Sequence, residues 1–207
     1  MKVIKLDQGG DAWKQIRIGR PTASRFSDIL TPKGELSKSS KGYIRELIGQ
    51  TFCPDFEYWS GNSFTKRGTE IEPESRRAFC ELTGETVEEV GFVISDDGIC
   101  GCSPDGLLLD SNGVFKSGLE LKNGTPKTHI GWVADGVLPD EHKAQVHGSM
   151  AVTGLTEWHF FSHFLGMKPF HVLVQWDDYT EKLKDSLAAF VYEYKAQRSI
   201  LIPKLKK

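Results

Sequence analysis

Apolar residues recur along this chain first at helical and later at strand spacing. Asp11 to Arg17 reads as the start of a helix or turn, with Asp11 able to cap it and Trp13 and Ile16 as apolar contacts. Ala23, Phe26, Ile29 and Leu30 predict a short helix over Thr22 to Leu30, broken by Thr31-Pro32-Lys33-Gly34. Tyr43, Ile44, Leu47 and Ile48 share one face of an amphipathic helix from Lys41 to Phe52. Residues 53–66 are aromatic-rich and irregular. Ile71, Ala78, Phe79 and Leu82 form a stripe predicting a helix over Thr69 to Thr83, with Pro73 in its first turn and Gly84 as its stop.

The second half changes period. Strands are expected at Val87 to Ile94, Ile99 to Asp110 and Ser117 to Lys122, the last two folded together by a turn at Ser111-Asn112-Gly113. A loop through Gly136 leads to a helix from Pro139 to Val152 ending at Gly154. Trp158 to Leu165 and Phe170 to Trp176 alternate like strands, and a long closing helix runs from Tyr179 to about Ile200. This order predicts an α/β fold with a mixed central sheet flanked by helices. No internal repeat or low-complexity linker interrupts it, so residues 1–207 read as one domain.

Composition narrows the setting. With 207 residues and 39% hydrophobic content, the chain can bury one sizeable core. No apolar run reaches the roughly 18 residues of a membrane span, the N-terminus lacks a secretory stretch, and the cysteines at 53, 80, 100 and 102 form no paired framework. A cytoplasmic protein with reduced thiols is expected. The net charge of −2 is unevenly spread: residues 1–45 hold ten Lys and Arg against four acids, a local +6, leaving −8 for the remainder. A basic region beside an acidic centre suits a polyanionic substrate.

The candidate chemistry lies in Ser103-Pro104-Asp105-Gly106 and Glu120-Leu121-Lys122, with fourteen residues between Asp105 and Glu120. Side chains alternate along a strand, so Glu120 and Lys122 point one way and Leu121 the other, into the core. The intervening hairpin returns Glu120 and Lys122 beside Asp105. Two carboxylates next to a lysine make a hard-cation site of the kind a metal-dependent phosphodiester cutter needs. Mg²⁺ takes one or two carboxylates plus waters and substrate phosphate, and the Leu121 carbonyl lies between them as a further ligand. With two ions, one would activate the water and the other stabilise the leaving oxygen. Lys122 would orient or deprotonate the water, or neutralise charge on the phosphorane. Glu72, one position off the helical stripe, can lie at the rim of such a site, and Gln145 lies near Ala144 and Gly148, small residues expected to let its helix approach the sheet.

Five motifs occur in order: Trp13-x-x-x-Arg17-x-Gly19-Arg20-x-Thr22-Ala23-Ser24, Gly68-x-x-x-Glu72, Cys102-Ser103-Pro104-Asp105-Gly106, Gly118-Leu119-Glu120-Leu121-Lys122 and Gln145-x-x-x-x-Met150-x-Val152-Thr153. Over residues 8 to 160 the chain resembles the phage lambda exonuclease family, the YqaJ-like viral recombinase or alkaline exonuclease group within the PD-(D/E)xK superfamily. The resemblance implies Asp105, Glu120 and the Leu121 carbonyl as metal ligands, Lys122 as the catalytic lysine, and Glu72 and Gln145 as completing the site. It also implies that Arg17 and Ser24 grip the 5′-phosphate of the strand being degraded, with Thr22 sharing that task. Arg20 and Pro21 stand where the resembled family has apolar residues, so Arg20 adds either a phosphate contact or a surface charge.

The expected activity is Mg²⁺-dependent 5′-to-3′ degradation of linear duplex DNA from its ends, with two ions and Mn²⁺ as a substitute. The resemblance further implies a homotrimeric ring, a single-strand annealing partner and a phage or prophage origin. The alternative is a restriction or repair endonuclease of the same superfamily, against which only the Arg17 and Ser24 motif speaks. Other conspicuous residues read as structural. Cys100 and Cys102 are small buried residues, the histidines at 159, 163 and 171 lack metal-ligand spacing, and Phe160, Phe161, Phe164 and Trp176 belong to core or interface. Tyr58 and Trp59 are better candidates for touching DNA.

Overall fold

A computed structural model describes residues 1–54 and 63–206, with 63–70 as helical backbone only. The N-terminal third is built from β1 (Lys2–Ile4), α1 (Asp11–Arg17), a 3-10 segment (Ala23–Asp28), α2 (Ser40–Phe52) and α3 (Ser63–Thr83). The remainder comprises β2 (Val87–Glu88), β3 (Phe92–Ile94), β4 (Gly101–Cys102), β5 (Gly106–Leu109), β6 (Phe115–Leu121), α4 (Pro126–Asp135), α5 (Asp140–Thr153), β7 (Glu157–Ser162), β8 (Phe170–Gln175) and α6 (Asp178–Leu205). A five-stranded sheet runs β2-β5-β6-β7-β8, and a small sheet runs β1-β3-β4.

All pairings are antiparallel except β6 with β7. Parallel neighbours need a long crossover, and α4 and α5 supply it. The sheet is therefore mixed and flanked by helices, as the order of elements predicts. On one face, α3 lays Phe79 over Leu108, Leu119, Leu121 and Phe161. Toward the other face lie α4, α5 and α6, whose Trp132, Val146, Met150 and Leu183 join Leu107, Trp158 and Phe160. Each fully buried large side chain contributes about 2–3 kcal/mol through loss of apolar surface to water.

The departures from the pattern have physical causes. The stretch Val87 to Ile94 is two strands in different sheets, because at Gly91 the chain passes beneath Leu6. A Cβ there would stand 2.1 Å from the Leu6 carbonyl oxygen. The stretch Ile99 to Asp110 also divides, at Ser103-Pro104-Asp105, where the chain leaves the small sheet for the large one. The region expected as a loop through Gly136 contains α4. Thr125 caps it by accepting from the Thr128 amide at 3.2 Å, Pro126 opens it, and Gly136 ends it at φ 68°. Pro73 lies inside α3 rather than in its first turn, since the helix begins at Ser63. The predicted helix over Thr22 to Leu30 is the tighter 3-10 segment. The closing helix starts with a reciprocal capping box between Asp177 and Thr180.

Candidate active site

The β5–β6 hairpin sets the centre. Gly106 pairs with Leu119, so Asp105 sits at the mouth of the hairpin opposite Glu120. The Asp105 amide donates to the Leu119 carbonyl at 3.0 Å, and its carboxylate accepts from the Leu121 amide at 2.6 Å. Burial raises the Asp105 pKa, against the pull of Lys122, the Leu121 amide and Arg76.

Alternation along β6 turns Leu119 and Leu121 toward Phe79 of α3 and leaves Glu120 on the opposite side. Glu120 is 2% exposed. One of its oxygens accepts from Lys122 Nζ and, at 2.6 Å, from Gln145 Nε2 on α5. The other, Oε2, is buried without a hydrogen-bond partner. Burial pushes the Glu120 carboxyl up to about 7, and Asp105 and Glu72 add to the shift while Lys122 opposes it. Burial also works against the Lys122 ammonium, but Glu120 and Asp105 outweigh it and raise its pKa, so Lys122 is a cation here. Gln145 reaches Glu120 because α5 packs closely on the 3-10 segment. A Cβ at Gly148 would meet the Phe26 ring at 2.3 Å, so the small residue serves contact with that segment rather than with the sheet.

Glu72 completes the cluster from α3. Its carboxyl is held up at about 7, by burial first and by Asp105 next, against Arg76. Arg76, one turn further along α3, donates to Glu72 at 2.7 Å and to the Asp105 carbonyl at 3.1 and 3.2 Å. The sequence reading missed Arg76; its only signal was its place four residues after Glu72. Asp105, Glu120, Lys122, Glu72 and Gln145 are thus brought together, and Leu121 joins them through its amide.

A second cluster adjoins the first through the chain itself. Arg17 Nη1 donates to the Ser103 hydroxyl at 3.1 Å, and Trp13 Nε1 donates to the same hydroxyl at 2.9 Å. Arg17 Nη2 reaches Ser24 at 3.4 Å and Thr22 at 3.5 Å, and the guanidinium stacks 4.2 Å from the Trp13 ring. Burial lowers the Arg17 pKa, marking a guanidinium partly stripped of water. Arg17, Thr22 and Ser24 therefore converge, and Ser103, quoted in a motif but given no role, joins them. Arg20 is directed elsewhere: its guanidinium donates to the carbonyls of Ile16, Gly98 and Ile99 at 3.0, 2.6 and 3.1 Å. Tyr58 and Trp59 lie outside the described residues.

The donor set suits a hard divalent cation. A carboxylate oxygen buried without a partner, on a group whose ionisation burial opposes, gains most from a cation. Asp105, Glu120 and the Leu121 carbonyl are the groups that would hold it. Among the described residues no cluster of three or more His, Cys, Asp and Glu side chains is arranged to hold a metal ion, so a cation here would rest on the two carboxylates of Asp105 and Glu120 with a backbone carbonyl, water and substrate. Cys100 and Cys102 are buried free thiols with pKa values raised by burial. His159 and His171 stack on each other, with Nδ1 and Nε2 2.9 Å apart.

Solved structures resemble the whole arrangement. The chain is 30% identical to an alkaline exonuclease, LHK-Exo, from Laribacter hongkongensis, with a TM-score of 0.81 over 94% of this chain and 97% of that one. The structure of LHK-Exo in complex with dAMP gives a TM-score of 0.80 at 29% identity over the same shares. A phage-related exonuclease from Haemophilus somnus 129PT shares the fold, with a TM-score of 0.66 at 13% identity over 91% of this chain and 99% of that one. No curated protein sequence matches the chain. The mixed sheet, its flanking helices and the match to the alkaline exonuclease identify a PD-(D/E)xK-type fold. The model of the YqaJ-like viral recombinase domain matches residues 12–156, most of the chain's length, and the chain belongs to that family.

Proposed function

We propose that this chain is a Mg²⁺-dependent exonuclease that degrades the 5′-ended strand of linear duplex DNA and leaves a 3′ overhang for annealing-type recombination. One observation carries the reading. Ser103 belongs to the Arg17 cluster and Asp105, two residues on, belongs to the carboxylate cluster. A phosphate grip and a hydrolytic centre therefore share one short loop. The similarity to alkaline exonucleases supports the same class of reaction.

The chemistry asked of each residue is limited. Arg17 meets a terminal phosphate with its planar fork, and the hydroxyls of Ser24, Thr22 and Ser103 add hydrogen bonds. A divalent cation at Asp105, Glu120 and the Leu121 carbonyl would acidify the attacking water and shield phosphate charge; Mg²⁺ is proposed, as two ions, with Mn²⁺ as a substitute. Gln145 and Lys122 hold Glu120 in place by donating to one oxygen. Lys122, as a cation, offsets charge on the phosphate under attack. Water oxygen bonds to phosphorus, the bond from phosphorus to O3′ breaks, and the leaving O3′ takes up a proton. Each cut leaves a new 5′-phosphate, the group that suits Arg17.

On the family resemblance we further propose a homotrimer acting with a single-strand annealing protein of the same phage or prophage; light scattering reads the oligomer directly. No helix among the described residues is long and apolar enough to cross a membrane. The deciding experiment compares a 5′-labelled linear duplex with a closed circle, in Mg²⁺ and in EDTA. Mononucleotides released from the linear 5′ end in Mg²⁺ alone, with the circle intact, are expected. Linearisation of the circle would turn the reading to an endonuclease, and release from the 3′ end would overturn the polarity.

A further inference from the structure

Arg76 is the best-connected side chain at the centre that has no part in the chemistry proposed above. It projects from α3 into a cavity of about 540 Å³ whose walls include Gln8, Glu72, Arg76, Glu89 and Asp105. Its side chain is only 13% exposed, yet it meets three partners. Nη2 donates to Glu72 at 2.7 Å, Nε and Nη2 both reach the Asp105 carbonyl, and Nη1 pairs with Glu89 at 3.0 Å. The Glu89 carboxylate is 71% exposed, so that pair contributes little. The contacts that matter run inward.

These contacts matter because of how Asp105 is held. Its amide is tied to the Leu119 carbonyl and its carboxylate to the Leu121 amide, both on β6. Its own carbonyl is held by Arg76, across from α3. The preceding carbonyl, of Pro104, is held by Gln8 Nε2 at 2.8 Å. The loop is irregular at this point, between β4 and β5, so the Asp105 residue is tied to the sheet through its amide and carboxylate while its carbonyl side is held from α3. Arg76 supplies that second hold, and with the same nitrogen that reaches Asp105 it fixes Glu72.

We propose that Arg76 is a positioning residue: its fork locks the Asp105 peptide and the Glu72 carboxylate into one geometry and so sets the affinity of the carboxylate centre for its divalent cation. Outer partners of metal-binding carboxylates affect metal affinity or activity about 10- to 100-fold. A lysine keeps the charge but has no planar fork to span a carbonyl and a carboxylate together. The inference rests on the nuclease reading only for its kinetic arm.

The test uses the full chain and the variants Arg76→Gln and Arg76→Lys, with Mn²⁺ as the probe. Mn²⁺ binding is followed by electron paramagnetic resonance without DNA, and kcat and KM on a 5′-phosphorylated linear duplex in Mg²⁺. R76Q is expected to bind Mn²⁺ about tenfold more weakly and to lose about 10- to 100-fold in kcat, with KM for the duplex end within about twofold. R76K is expected to keep the wild-type melting temperature while staying at least about fivefold below wild type in Mn²⁺ affinity. Wild-type Mn²⁺ affinity in R76Q, or in R76K where R76Q does not fold, overturns the proposal. A loss confined to KM overturns it too, because that would make Arg76 a DNA contact. An inactive wild-type chain that still binds Mn²⁺ would count against the nuclease reading, while the binding arm would still decide Arg76.

Discussion

Replacing Glu120 with glutamine should abolish cleavage and make the metal-free protein more stable. The reason lies in what burial does to this carboxylate. Glu120 is 2% exposed, one oxygen has no partner, and its pKa is held at about 7 instead of the usual 4.5. The native state therefore keeps the proton up to about pH 7, whereas the unfolded chain releases it near pH 4.5. Between those values the native state binds more protons, so stability falls as pH rises through the window. Above pH 7 the whole penalty is present. A shift from 4.5 to about 7 corresponds to about 3 kcal/mol at roughly 1.4 kcal/mol per unit, and that figure already contains the attraction to Lys122. Glutamine resembles the protonated acid, keeps an oxygen for Gln145 and carries no charge to bury. In EDTA at pH 8, E120Q should gain about 6–12 °C in melting temperature, falling to about zero by pH 4.5. Scanning calorimetry at pH 8 and pH 4.5 reads both values. Adding Mg²⁺ at pH 8 should raise the wild-type melting temperature and leave that of E120Q unchanged. An E120Q melting temperature at or below wild type at pH 8 would refute the claim that the native fold strains against this charge.

Three further outcomes follow from named contacts. Arg17→Ala should cost about 2–3 kcal/mol on 5′-phosphorylated ends, or about 30- to 150-fold in kcat/KM. It should leave 5′-hydroxyl ends nearly unaffected; equal losses on both would remove the phosphate role. Gly148→Ala should cost about 1–3 kcal/mol, because its Cβ would stand 2.3 Å from the buried Phe26 ring; a wild-type denaturation midpoint would contradict the packing. His159, stacked on His171, has its pKa lowered to about 4 by burial, with His171 adding to the effect. It stays neutral in the native state while the unfolded chain protonates near 6.5, so its contribution is present above 6.5 and lost as pH falls toward 4. The stability gap between wild type and His159→Phe should therefore narrow by about 1–2 kcal/mol from pH 7 to 5, and a constant gap would show that the pair does not titrate in this way.

Local signals made part of this molecule legible from its sequence. The β5–β6 hairpin could be read because Asp110, Asn112 and Gly113 build their own turn, with the Asp110 carboxylate accepting the amides of Asn112 and Val114 at 2.8 and 2.9 Å. Strand alternation then put Glu120 and Lys122 on one side without any tertiary knowledge. The helix α4 was harder to see, since it buries a histidine and a tryptophan, His129 and Trp132, and leaves Ile130 and Val133 exposed. An apolar stripe is a sound guide only when burial follows hydrophobicity. The two strands hidden in Val87 to Ile94 were masked for a different reason. Their division depends on Leu6 crossing above Gly91, a contact between segments far apart in sequence.

The same distinction separates the site residues that motifs reach from those they miss. Ser103 and Arg76 bear no chemical signature of their own, and each is defined by what another element brings to it. Arg17 and Trp13 of α1 close on Ser103, and the Asp105 peptide comes within reach of Arg76 only where α3 crosses the loop. Ser103, Pro104 and Asp105 are each gripped by side chains from outside the sheet: Trp13 and Arg17 at the first, Gln8 at the second and Arg76 at the third. Beyond the Asp105 amide's bond to the Leu119 carbonyl, the loop gains its rigidity from those grips. Their order along the chain also places the Arg17 contact one residue before the carbonyl that Gln8 holds, and two before Asp105 of the carboxylate cluster. Moving any one of the three residues should disturb both ends of the loop, so substitutions at Arg17 and Arg76, on different helices, should fail to combine additively. A double-mutant cycle on kcat/KM with 5′-phosphorylated duplex tests this coupling, and strictly additive losses would show that the loop does not join the two clusters.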